Sequence, residues 1–380
     1  MLNIAVIGYG GRINSVVSDL VKTGKVRLIA VMDTDTAAVK KKYIDKNGFE
    51  GVKYYTDADE MITTERPDGV LIGTRCSTHT HYALLVAKYS IPTFLEKPVC
   101  TTYEDLERLR TIPHMNDKTV VSFPLRTSQL VEYVKGVVDS GKLGRIEHVQ
   151  AYNNVPYARG YYHKWYRDEN ETGGLFLQKA THDLDYVNYI LGFRPVRVCA
   201  MTSKQIFKGD KPAGLKCADC PDADTCPESP ANVLLVDSSR EPGEYCCFAV
   251  DTGNEDSGSA IIEYDTGMHV VYSQDFIVRN GAGKRGARLI GYKGTLEFDW
   301  YSDVVTVYNH MQNSVEHHTL TKTTEGHFGG DAVLEQNFIA VMEGRERSVA
   351  PLSDGILSAE LCLAARRSAK EHVFVDISNG

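Results

Sequence analysis

The chain has 380 residues, enough for about two domains, and its 42 % hydrophobic and 24 % charged content excludes a disordered or fibrous protein. A formal charge of −8 with no basic block argues against nucleic acid or an anionic membrane as partner and leaves a small molecule as the expected ligand. No run reaches membrane-span length and Met1 leads at once into a strand-like segment, so the expectation is a cytoplasmic chain without a signal peptide.

The first element is the apolar run Asn3-Ile-Ala-Val-Ile, which ends in Gly8-Tyr-Gly10-Gly11-Arg12 and feeds a helical segment at 15–22. Glycines at 8 and 10 let the backbone turn tightly and approach a pyrophosphate, whose charge then lies on amides at the helix start. Ile13 stands where the third glycine of a dinucleotide fingerprint would fall. The next strand, 26–32, is followed by Asp33, a carboxylate suited to ribose hydroxyls and repelled by a 2′-phosphate. NAD is therefore favoured over NADP.

Further strands are predicted at 69–74, 93–96 and 120–123, alternating with helices at 36–46, 78–89 and 103–110. This is an α/β Rossmann pattern for a dinucleotide-binding domain of residues 1–123. From 124 to 380 the texture changes to α+β with a large, mostly antiparallel open sheet: a helix at 128–139, strands at 146–152, 196–201, 260–264, 269–273, 295–299 and 304–308, then helices at 332–342 and 354–370 and a short run at 373–376.

Two longer motifs make the pattern specific. Thr74-Arg-Cys-Ser-Thr-His79 is followed at a fixed interval by Ile91-Pro-Thr-Phe-Leu-Glu96-Lys97-Pro98, and Gly173-Gly-Leu-Phe-Leu-Gln178-Lys179-Ala-Thr-His182-Asp-Leu-Asp185 continues to Leu191-Gly192. Together with Gly8, Gly10 and Asp33 they resemble the Gfo/Idh/MocA family of glucose-fructose oxidoreductases and inositol dehydrogenases. Arg75 and Cys76 replace the Pro-Asn usual there. The resemblance implies a catalytic Lys97, cofactor contacts from Gly8, Gly10, Gly11, Arg12, Asp33, Thr74, His79, Glu96 and Lys97, and a homodimer or homotetramer formed through the exposed face of the C-terminal sheet.

Oxidising a secondary alcohol needs a hydride acceptor and a base for the hydroxyl proton. His182, with an ordinary pKa near ~6.5, can be that base. A lysine at the end of a parallel strand, as Lys97 is, can stabilise the alkoxide as charge develops. The Lys97–Pro98 bond is a candidate for a cis peptide. If 173–191 is helical, Gln178 and Asp185 share a face with His182, and Asp185 orients the ring or binds substrate. Gln178 replaces an aspartate of many relatives, and Lys179 beside it offers a cation.

The run 152–167 contains Tyr157, Arg159, Tyr161, Tyr162, His163, Trp165, Tyr166 and Arg167, the residue types that line carbohydrate sites. Tyr157, Trp165, Gln178 and Lys179 join Lys97 and His182 as expected substrate contacts. His327 and Asp331 are a further candidate contact, helix capping by Asp331 being the alternative. A cysteine-rich insertion at about 203–245, with Cys217, Cys220 and Cys226, followed by Cys246, suggests a zinc knuckle, with free thiols or a disulfide as the alternative.

The expected activity is NAD(P)-dependent hydride transfer to or from a hydroxyl of a sugar, sugar acid or polyol. Two alternatives stand beside it: a sugar epimerase, lyase or glycosidase that oxidises its substrate transiently with tightly bound NAD, and a non-catalytic NAD and sugar sensor.

Overall fold

The structure, a computed structural model, describes residues 1–156, 158–236, 243–321 and 326–378; Tyr157 lies outside these. The chain forms two units. One comprises Met1–Tyr133, Leu184–Tyr186 and the described part of Lys322–Glu360, and the other Val134–Asp183, Val187–Thr321 and Leu361–Gly380 within the described residues.

In the first unit six parallel strands, β1 (Leu2–Ile7), β2 (Val26–Met32), β3 (Lys53–Tyr55), β4 (Gly69–Ile72), β5 (Thr93–Leu95) and β6 (Thr119–Val121), pair in the order β3-β2-β1-β4-β5-β6. This is the strand order of a doubly wound dinucleotide-binding sheet. All four residues of β4 and all three of β5 are buried, as expected where helices cover both faces. Strand β3, Lys-Tyr-Tyr at the edge, has no apolar run to announce it. The helix expected at 36–46 is broken by a π-turn at Lys40–Ile44. Helix Gly330–Met342 belongs to this unit, and its Phe338 meets Phe94 of β5 edge-on at 5.8 Å.

The missing third glycine is compensated from across the sheet. A Cβ at Gly73, just after β4, would lie 1.9 Å from Ile13 Cγ1, so the bulk at 13 occupies the space that glycine vacates at 73. Gly73→Ala is expected to cost about 1–3 kcal/mol by overpacking, and Ile13→Ala in the same chain to restore most of it. Urea titration of both variants checks this. A single variant as stable as the parent would show that the helix moves freely off the sheet.

In the second unit nine strands pair in the order β14-β13-β12-β11-β7-β10-β9-β8-β15. They are β7 (Ile146–Asn154), β8 (Pro195–Ser203), β9 (Ser257–Tyr264), β10 (His269–Asp275), β11 (Lys284–Gly291), β12 (Gly294–Asp299), β13 (Val304–Asn309), β14 (Ser314–Thr319) and β15 (Val375–Asp376). Every pairing is antiparallel except β7 with β10. Along β9 buried Gly258, Ala260, Ile262 and Tyr264 alternate with exposed Ser259, Ile261 and Glu263, the signature of a sheet covered on one face. The cysteine-rich insertion is anchored to the rest of this unit through a shared apolar cluster. Phe207 and Cys247 are buried with Val155, Ala158, Tyr162, Leu175 and Phe276.

Candidate active site

In the first unit, Gly8 ends β1 at φ +78, a left-handed value, and a Cβ there would fall 2.5 Å from the Thr74 methyl and 2.7 Å from its backbone. Gly10 precedes helix Gly11–Lys22 in extended conformation with no side-chain cap. The first bond of that helix runs from the Asn14 amide to the Gly10 carbonyl (2.9 Å), so the amides of Gly11, Arg12 and Ile13 come before the ladder. A cradle that a Cβ would fill, opening onto helix amides, fits a pyrophosphate. Asp33 is held at the end of β2, its two oxygens accepting from the Tyr9 amide (2.8 Å) and the Asp35 amide (3.0 Å). Its half-exposed carboxylate keeps lone pairs for ribose hydroxyls. Among the described residues the set fits NAD.

Four residues expected to touch the cofactor have protein partners in the same unit. Arg12 Nε donates to Glu96 Oε1 (3.1 Å), and its Nη2 donates to Asp331 Oδ1 (2.6 Å) and Ser122 Oγ (3.2 Å). His79 is buried, with Nδ1 2.7 Å from the Pro98 carbonyl oxygen and Nε2 3.2 Å from that of Thr74. Burial lowers its pKa, so the ring is neutral and its single N–H serves the shorter contact, to Pro98. Glu96 is buried; Lys97 beside it is half-buried, and the Lys97–Pro98 bond is cis. Thr74 accepts from the Thr78 hydroxyl (2.7 Å).

Asp331 lies in the first turn of helix Gly330–Met342 without capping it, since Gly329 is the cap. It also meets His327 Nδ1 at 2.7 Å. Burial raises the Asp331 carboxyl, but His327 and Arg12 outweigh it and hold it down at about 2. One turn on, Glu335 is pushed up to about 8, by burial and then by Asp19 and Asp331, against the opposing pull of Arg12 and Lys22. A carboxyl raised in the fold stabilises fully below its unfolded value, near ~4.3, and that stability is lost as pH climbs to about 8. Glu335→Gln should remove this loss. Its advantage over the parent in urea titration should widen by up to about 1.4 kcal/mol per pH unit between those limits, and a constant gap across that range would refute the assignment.

Asp185, expected to serve catalysis, is buried in an ion pair with Arg126, whose Nε lies 3.0 Å from Oδ2 and whose Nη2 reaches Oδ1. Arg126 Nη1 donates to Asp354 Oδ2 at 2.5 Å. Burial pushes the Asp185 carboxyl up to about 6 against the pull of Arg126, leaving it ionised at neutral pH. Arg126 was not singled out in the sequence, although a lone charge in the wholly buried stretch 119–128 is a signal.

In the second unit the segment around Gln178 is not one helix. Leu175–Gln178 ends at Lys179, whose φ −107 and ψ −50 break the path before helix Ala180–Leu191 begins. The shared face expected for Gln178, His182 and Asp185 therefore holds only for the last two. Gln178 and Lys179 are buried, and Lys179 Nζ lies 5.8 Å from the Tyr161 ring centroid. His182 is half-buried. The neighbouring Asp183 is fully buried and accepts from Arg285 Nε (2.6 Å), Asn153 Nδ2 (2.7 Å) and the Tyr272 hydroxyl (2.8 Å). It ties the His182 helix to β7, β10 and β11.

The aromatic run divides into two. Tyr162, His163, Arg159 and Arg167 are buried and hold the insertion: Tyr162 stacks on Phe207 (4.0 Å) and Arg167 pairs with Asp251 (2.6 Å). Trp165 stacks on Tyr166 at 3.8 Å, and both stay half-buried with Tyr161. The zinc expectation is corrected. Among the described residues no group of three or more His, Cys, Asp or Glu side chains could hold a metal ion. Cys217 Sγ is turned to the Tyr245 carbonyl (3.5 Å), and burial raises both the Cys217 and the Cys246 thiol.

Residues 2–123 match the family model described as oxidoreductase family, NAD-binding Rossmann fold, and residues 131–297 match that of the GFO/IDH/MocA C-terminal domain. The chain is 27 % identical to the protein YteT of Bacillus subtilis over 316 residues, 73 % of each chain. It is 26 % identical to myo-inositol 2-dehydrogenase of Thermotoga maritima over 195 residues, 50 % of this chain and 55 % of that one. Among solved structures, levoglucosan dehydrogenase in complex with NADH and levoglucosan has a TM-score of 0.77 at 16 % identity over 100 % of both chains, a likeness of fold. No helix among the described residues is long and apolar enough to cross a membrane. With a dinucleotide turn and a C-terminal sheet that each carry the family's own pattern, the chain belongs to the GFO/IDH/MocA oxidoreductases and is an NAD(P)-dependent dehydrogenase of that family.

Proposed function

We propose that the protein transfers hydride between NAD and a hydroxyl-bearing carbon of a sugar, sugar acid or polyol. The observation that carries this reading is a lysine, Lys97, at the carboxyl end of β5, in the same sheet whose β1 and β2 end in the Gly8 cradle and Asp33. Ligands of open α/β sheets bind at that end. The inositol and levoglucosan dehydrogenases among the similar proteins support a carbohydrate or polyol substrate.

The Gly8–Gly11 turn would hold the pyrophosphate and Asp33 the adenosine ribose. When bound, NAD supplies the hydride acceptor. In the oxidising direction Lys97 Nζ would stabilise the negative charge that grows on the substrate oxygen, and His182 is the base that its motif implies for the hydroxyl proton. In reduction His182 returns the proton. Half-buried Trp165 and Tyr166 offer flat faces for the C–H patches of a ring.

A second reading stays open at Gln178, an amide that can neither give nor take a proton: transient oxidation, in which the hydride returns to the substrate after elimination or epimerisation. A panel of myo-inositol, levoglucosan, D-glucose and D-glucuronate, each with NAD and with NADP, separates these readings. Net oxidation gives NADH in proportion to product, with at least about a tenfold preference for NAD because Asp33 repels a 2′-phosphate. Product without accumulating NADH selects the second reading. Neither product nor NADH binding overturns both.

A further inference from the structure

We propose that Arg12 and His79 are positioning residues that hold Lys97 from its two sides rather than contacts of the dinucleotide, an inference that rests on the proposed role of Lys97. Each grips one neighbour of that lysine. On one side the Arg12 guanidinium holds the Glu96 carboxylate at 3.1 Å, and on the other the His79 ring binds the Pro98 carbonyl at 2.7 Å. The backbone around Lys97 is fixed independently, because the Glu96 amide donates to the Ile72 carbonyl (3.0 Å) and so continues the β4–β5 pairing. The freedom left is the rotation of the Lys97 turn about the end of β5, and the two grips remove it.

Arg12 is unsuited to serve as a phosphate counter-ion. Two carboxylates face one guanidinium, so the cluster of Arg12, Glu96 and Asp331 carries no surplus positive charge to offer a pyrophosphate. Asp331 is itself anchored by His327, which with Phe328 has left-handed backbone (φ 51 and 54). Such a pair of non-glycine residues persists only where the surroundings over-determine it. Helix Gly11–Lys22, the β5 end and helix Gly330–Met342 thus meet at one side chain. His79 is almost wholly buried, and both its ring nitrogens face backbone carbonyls.

The test uses the full-length chain in five variants, Arg12→Gln, Arg12→Lys, Asp331→Asn, His79→Ala and His79→Asn. NADH dissociation constants come from fluorescence. Turnover at saturating NAD uses whichever of myo-inositol, levoglucosan, D-glucose or D-glucuronate the parent oxidises fastest. A displacement of the order of 1 Å costs about a hundredfold in rate. Arg12→Gln and His79→Ala should therefore lower kcat by about 10- to 100-fold while NADH affinity stays within about threefold. Arg12→Lys and His79→Asn, which keep a donor toward Glu96 and Pro98, should recover much of the loss. Asp331→Asn keeps size and removes charge, and if Arg12→Gln does not fold it carries the test with a several-fold fall in kcat alone. Weakened NADH binding at unchanged kcat, or no change in either quantity, overturns the proposal. A parent that neither binds NADH nor forms product from any of the four removes the proposed function and the clamp with it.

Discussion

Lys97→Ala is expected to lower kcat by about 10²–10³-fold while NADH affinity stays within about threefold, the behaviour of a group that acts on charge developing during reaction. A donor aimed at a developing alkoxide contributes little to ground-state binding and much to the transition state. The half-buried position of Lys97, between buried Glu96 and buried Pro98, strengthens that contribution, because there is less water to share the charge. Steady-state kinetics with fluorescence titration of NADH measures both quantities. A variant that loses cofactor affinity in step with turnover would make Lys97 a binding residue, and one that keeps full turnover would remove it from the chemistry and favour the sensor reading.

Arg126→Met is expected to cost about 3–5 kcal/mol of stability, the usual penalty for removing one partner of a buried ion pair. The guanidinium is almost wholly buried and is the shared partner of Asp185 and Asp354, so its loss leaves two carboxylates facing one another across the former site. Asp185, already pushed up to about 6 by burial, then loses the opposing cation and rises further. A carboxyl raised in the fold loses stability as pH climbs, so the deficit should be smallest near pH ~4 and grow toward neutrality. Adding Asp185→Asn should recover part of it, because the charge left unpaired is gone. Urea titration at several pH values checks the slope, and a loss below about 1 kcal/mol at neutral pH would show that water reaches the site.

The doubly wound sheet was legible because parallel strands buried on both faces read as unbroken apolar runs, as in Val70-Leu-Ile72. Strands β11 and β14 were not. β11 opens with Lys284-Arg-Gly and its buried alternate positions, Arg285, Ala287, Leu289 and Gly291, include one large apolar residue, while β14, Ser-Val-Glu-His-His-Thr, is exposed throughout; pairing with neighbours makes them strands. In the site, residue types and order were readable while partners were not. Nothing local joins Arg126 to Asp185, or Arg12 to Asp331, which are hundreds of residues apart in the second case. The break at Lys179 was equally hidden, since Leu-Phe-Leu-Gln-Lys-Ala favours helix at every step.

Ile13 and Gly73, one on each side of the nucleotide-binding turn, fill a single volume. Evolution should treat them as one site with two addresses: a lineage that regains glycine at 13 frees 73 to drift, and one that keeps a branched residue at 13 cannot accept a side chain opposite. Aligned relatives should then show the two positions exchanging bulk, and a fingerprint search that demands the third glycine will pass over every protein that made the exchange.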